Sequence, residues 1–88
     1  MSARAMAKVW DRTKQSGSRL SVLLALADLA DDDGNAFVAT ATLASKCRME
    51  RRAVQRVLDA LLEAGELEIE GAERPRARNQ YRVLMGSN

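Results

Sequence analysis

Histidine is absent from the sequence, cysteine and proline occur once each (Cys47 and Pro75), and the aromatics stop at Trp10, Phe37 and Tyr81. With no histidine and no second thiol there is no Ser-His-Asp or Cys-His arrangement, no Cys/His zinc set and no internal disulfide. Most small hydrolases and zinc modules are thereby excluded. No paired acid and base, glycine-rich phosphate cradle or metal set takes their place, so no enzyme activity, cofactor or small-molecule substrate is expected. Three aromatics are too few for a platform that stacks successive bases of a single strand. The sequence also lacks an apolar run of about eighteen residues and a signal peptide, which reads as a soluble, cytoplasmic chain with no membrane partner.

What is present is 88 residues, 47% of them apolar, enough for one domain with a radius of gyration of roughly 12 Å. Residues 1–17 read as an N-terminal arm or a short helix, with Met6, Val9 and Trp10 at helical spacing; 18–85 form the domain and 86–88 a loose tail. After the breaker Gln15-Ser16-Gly17-Ser18 a helix is expected from about Arg19 to Ala30. Leu20, Leu23, Leu24 and Ala27 mark one stripe on it, and Val22, Leu26 and Leu29 a second. Such a helix is apolar nearly all round and must be covered on two sides. The second stripe either packs under Trp10 and the N-terminal segment or forms a subunit interface, which makes Trp10, Val22, Leu26 and Leu29 the candidate dimer contact.

Asp31-Asp32-Asp33-Gly34-Asn35 ends that helix in a turn. As a calcium loop it fails, because placing Gly34 at the sixth position puts Leu29 at the first and Thr40 at the twelfth. Ala36-Phe37-Val38 reads as a short strand that needs a partner from elsewhere in the chain. The second helix spans about Thr40 to Cys47, with Cys47 on its apolar face as a small buried residue rather than a nucleophile. Met49 or Glu50 opens a third helix that buries Val54, Val57, Leu58 and Leu61 and stops at Gly65. Beyond Gly65 the apolar period falls to 2, with Leu67 and Ile69, then Tyr81 and Val83, as two strands of a hairpin whose loop runs from Gly71 to Arg78.

This order packs most economically as three helices around a common core with a small antiparallel sheet beside them. The expected fold is mainly α: a winged helix-turn-helix, with the hairpin as wing and room for an extra N-terminal helix. In that arrangement the third helix turns its polar face toward the major groove of a duplex. Arg52, Gln55, Arg56 and Asp59 recur along this face at i, i+3, i+4, i+7, and Arg and Gln are residue types that read guanine and adenine edges. The net charge is only +2, from 14 basic and 12 acidic residues. Its distribution says more. Lys46 to Arg56 hold five basic residues against one acid, and Arg74 to Arg82 hold four arginines and no acid. Two basic islands on an otherwise acidic chain make the footprint of a duplex binder.

Val22-Leu23-Leu24-Ala25-Leu26-Ala27-Asp28, the Asp33-Gly34 turn with Phe37, Thr42-Leu43-Ala44, Arg51-Arg52-Ala53-Val54-Gln55-Arg56-Val57-Leu58, Glu63-Ala64-Gly65 and Asn79-Gln80-Tyr81-Arg82-Val83 carry a family resemblance. Together they resemble the winged helix-turn-helix domains of bacteriophage and plasmid replication initiators and related small phage or plasmid regulators. The resemblance spans roughly Leu20 to Leu84. It implies sequence-specific binding of double-stranded DNA in a bacterial cytoplasm or nucleoid, with Arg52, Gln55 and Arg56 reading bases. Thr40, Thr42, Lys46, Arg48 and Arg51 would then contact phosphates, while Arg74, Arg76 and Arg78 reach the backbone or minor groove from the wing. A homodimer on paired half-sites is expected, because a single module buries only ~600–1,000 Å².

The chain departs from the family pattern at four places. Arg48 stands where glycine is usual, which implies either a left-handed backbone there or a turn of another form, and Glu50 stands for the serine that opens the third helix. Ala39 replaces a capping serine and leaves Thr40 as the substitute cap. Glu66 replaces an apolar residue, which implies a loosened start to the wing. The second region of an initiator is missing, so the chain reads as an excised domain or a free-standing regulator. Two other readings stay open: a winged helix that docks on an acidic protein partner, and a plasmid partition protein that binds centromere DNA.

Overall fold

Helices form where the apolar spacing is near 3.6 and strands where it is 2. The computed structural model describes residues 2–70 and 78–84. Its elements are α1 (Ala3–Arg12), α2 (Gly17–Leu29), β1 (Asn35–Ala39), α3 (Thr40–Cys47), α4 (Arg51–Glu63), β2 (Leu67–Glu70) and β3 (Arg78–Val83). The strands form one antiparallel sheet in the order β1-β3-β2, with Phe37 opposite Gln80 and Ile69 opposite Tyr81. Helix, strand, helix, turn, helix and hairpin make a winged helix-turn-helix preceded by one additional helix. The Cα radius of gyration is 11.3 Å.

That additional helix is well anchored. Ser2 caps α1 by accepting the Ala5 amide at 3.0 Å, and its own hydroxyl donates to Asp32 at 2.9 Å. Ala5 and Val9, with Met6 partly buried beside them, join the main core. α2 packs against α1, α3, α4, β1 and β3, which explains why it is apolar on nearly every side. Most of both stripes is therefore covered inside one chain. Val22 and Leu26 are 0% exposed, which corrects their assignment to a dimer contact: α1 and the core already cover them. Trp10 does not form that cover. It lies on the outer face of α1 at 61% exposure, and Leu29, at the end of α2, is 39% exposed.

The sheet places Ala36, Val38, Tyr81 and Val83 against the helices. Alternation turns Phe37, Arg78, Gln80 and Arg82 outward. Tyr81 is fully buried, and its hydroxyl accepts from Asn79 Nδ2 at 2.9 Å. Thr40 is also hydrogen-bonded to that phenol. This corrects two roles expected of Thr40. It is 5% exposed as the first residue of α3, behind the uncapped Ala39, so its side chain neither caps the helix nor reaches a phosphate.

Candidate nucleic-acid interface

The turn between α3 and α4 sets the whole surface. Arg48 has φ 56 and ψ 46, so of the two forms left open by the missing family glycine the turn takes the left-handed one. Its N–H donates to Ser45 O and the next amide, of Met49, donates to Ala44 O at 2.9 Å, so the last carbonyls of α3 are satisfied within a tight closure. Lys46, two residues before Arg48, is ion-paired with Asp28 at 2.9 Å. As a phosphate contact it must exchange that carboxylate for the phosphate. Thr42 is exposed on the same helix.

α4 follows from the N-cap residue Glu50, whose negative charge suits a helix start although its side chain makes no cap bond. Val54, Val57, Leu58 and Leu61 are buried, and the opposite face leaves Arg52, Gln55, Arg56 and Asp59 exposed, with Arg51 beside them. Among the described residues, no hydrogen bond or ion pair engages the side chains of Arg51, Arg52, Gln55 or Arg56. Three guanidinium groups and one amide thus project from a rigid helix without an intramolecular partner. The far end is closed by Gly65 at φ 78, with its amide on Leu62 O and that of Glu66 on Leu61 O.

The second basic island is only partly within the described residues: Arg74 and Arg76 lie outside them. Arg78 opens β3 rather than ending the loop, and its guanidinium sits 5.7 Å from the centre of the Phe37 ring. That ring is 64% exposed, so the pair contributes only about 0.5–1 kcal/mol. Arg82 is held across the ladder by Glu68 at 2.8 Å.

Phe37 and Glu66 were not among the expected site residues. For Phe37 the signal was available, because a strand that buries Ala36 and Val38 must turn Phe37 outward. Glu66 is tied down rather than loose, contrary to the expectation from its departure: its carboxylate accepts from Thr13 Oγ1 at 2.5 Å, Gln15 Nε2 at 2.8 Å and the Lys14 amide at 3.4 Å. Partial burial pushes the Glu66 carboxyl up, but these hydrogen bonds and the Lys14 charge outweigh it and leave it below the usual range. Partial burial likewise pushes the Cys47 thiol up, against the pull of Lys46, and the thiol donates to Ser21 O at 3.7 Å. A protonated, hydrogen-bonded thiol fits a packing residue.

Comparison with family models matches residues 16–65 to one described as a helix-turn-helix domain. The chain belongs to the helix-turn-helix domain family. No curated protein and no solved structure matches it. The matched residues run from the N-cap of α2 to the glycine that closes α4, so the family region contains the turn at Arg48 and the exposed face of α4. No helix among the described residues is long and apolar enough to cross a membrane.

Proposed function

We propose that this helix-turn-helix protein binds double-stranded DNA sequence-specifically, with α4 in the major groove, Arg52, Gln55 and Arg56 on base edges, and no catalytic step. The observation that carries the reading is the outer face of α4, where these side chains are exposed and unpartnered while the inner face locks the helix into the core. Thr42, Lys46, Arg48 and Arg51 contact phosphates around the turn, and Arg78, with Arg74 and Arg76 shortly before it in sequence, adds further contacts. The biological role is that of a phage or plasmid regulator, or of the origin-recognition domain of a replication initiator. The protein acts as a homodimer on half-sites about one helical turn apart, with Trp10 and Leu29 the parts of the candidate contact that stay accessible.

Selection from a randomised duplex library, followed by titration of the selected site at several salt concentrations, tests this. Gln55→Ala is expected to lose ~1–3 kcal/mol of discrimination at one base pair and leave random-sequence binding unchanged. Arg51→Ala is expected to weaken all duplexes alike and flatten the salt slope by about one unit. No retardation of any duplex by micromolar protein at low salt overturns the reading and favours docking on an acidic protein.

A further inference from the structure

We propose that the outer face of α1 is the contact between two copies of this chain, which pair their α1 helices antiparallel about a two-fold axis at the midpoint of the helix. The inference deepens the homodimer reading above and rests on it. On the inner face of α1, Ala5 and Val9 are buried in the core and Met6 is partly buried beside them. The opposite face carries Ala3, Arg4, Ala7, Trp10 and Asp11, all exposed. Trp10, the one tryptophan of the chain, is 61% exposed there. Tryptophan is enriched at the anchoring centres of protein interfaces, and this one stands on a face whose other apolar residues end at Cβ.

Two charges on this face are set against their own helix. Arg4 lies in the first turn and Asp11 in the last, where the helix dipole favours an anion and a cation respectively. Seven residues separate them, about 10.5 Å along the axis, which is too far for them to pair with each other. Among the described residues neither side chain has an ion pair or a hydrogen bond. A second copy running the other way supplies what each lacks. Arg4 and Asp11 are equidistant from the midpoint of Ala3–Arg12, so the two-fold axis sets each level with its opposite number in the second copy, on the same side of the contact. At about 100° per residue, Trp10 and Ala3 fall on the other side of Ala7. The same axis sets Trp10 level with the notch between Ala3 and Ala7 of the second copy, as a knob meets a hole. One arrangement thus pairs both charges and covers the aromatic, and symmetry repeats it. A ten-residue helix is only about 15 Å long, and its contact falls short of the ~1,200 Å² of a stable interface. Free chains therefore associate weakly, and neighbouring half-sites on one duplex complete the pairing through effective concentration.

Sedimentation of the full chain at low salt, up to millimolar concentration and without DNA, tests the contact. Quenching of Trp10 fluorescence by acrylamide is expected to fall as the chain associates. Trp10→Ala, Arg4→Glu and Asp11→Lys are each expected to weaken association about tenfold. Both charge substitutions suit the helix dipole, so α1 keeps its fold. An equimolar mixture of Arg4→Glu chains with Asp11→Lys chains decides the matter. In the mixed dimer the two altered positions face each other with opposite charge, as do the two native ones, and wild-type affinity returns. A mixture that associates no better than either variant alone overturns the proposal. So does an association untouched by all three substitutions, although the homodimer reading then stands with another contact. A chain that stays monomeric and fills paired half-sites without cooperativity, or binds no duplex, overturns both. Cooperative filling by such a chain carries the same substitution series to the duplex, where loss and recovery of cooperativity are read with the same outcomes.

Discussion

Arg48 occupies a conformation that favours glycine, with φ 56 and ψ 46, in the middle of the surface assigned to DNA. A left-handed backbone costs a side chain-bearing residue about 1–2 kcal/mol, and glycine returns roughly 0.4–1 kcal/mol of that through the freedom of the unfolded chain. Arg48→Gly is therefore expected to stabilise the protein by about 0.5–1 kcal/mol in urea unfolding while its DNA salt slope falls by about one unit. A loss of stability would show that the arginine side chain contributes to the fold. Strain retained at such a position fits a residue kept for contact rather than for stability. Tyr81 makes the converse case. Burial, helped by the Asp59 charge and opposed by hydrogen bonds from Asn79 and Thr40, pushes its phenol from 10.0 up to about 12. The folded state thus holds the proton more tightly than the unfolded one. Stability from this group is complete below pH 10.0 and is lost as pH rises toward about 12. With solvent screening discounted, the loss is roughly 1–2 kcal/mol, and Tyr81→Phe is expected to flatten it in melts across that range.

At the scale of elements, α1 and α2 behave as one unit. Leu26 is 0% exposed, and Leu26→Ala is expected to cost about 2–5 kcal/mol in denaturant unfolding, far more than a half-exposed interface residue would lose in a monomer. Insensitivity of the monomer to this change would return Leu26 to the subunit contact. Much of this architecture was legible in advance. Four-residue apolar repeats marked α2, α3 and α4, the switch from period 3.6 to 2 marked the wing, and α3 matched its expected span from Thr40 to Cys47. The exposed face of α4 was legible for the same reason, since burial of Val54, Val57, Leu58 and Leu61 turns Arg52, Gln55 and Arg56 outward. Periodicity could not say which neighbour covers which stripe. Trp10 was the largest apolar side chain near the N-terminus, yet small residues, Ala5 and Val9, make the close approach to α2. Nor could it see contacts distant in sequence, such as Glu66 with Thr13 or Thr40 with Tyr81, where a polar residue finds its partner only after folding.

Over the whole molecule, charge and topology divide the labour. The basic residues between Lys46 and Arg56 gather at one turn and one helix, while the acidic remainder includes Asp31, Asp32 and Asp33 at the opposite end of α2 from its start. Asp31 is spent on its own turn, accepting the amides of Asp33 and Asn35, and these backbone bonds hold its carboxyl below the usual range. On the proposed reading, the basic turn and α4 attract DNA ahead of close contact, which favours that side of the molecule in the encounter. The sheet has a different kind of asymmetry. Its middle strand, β3, comes after both strands that flank it. During synthesis, then, β1 and β2 wait on the ribosome without a neighbour until Arg78 to Val83 have emerged, and the helices must shelter them alone. Nascent chains tethered through a C-terminal spacer too short to let Arg78 emerge are expected to show helical protection from protease and an open, cleavable β1, with protection of β1 appearing abruptly once the spacer is long enough to bring Val83 clear of the exit tunnel.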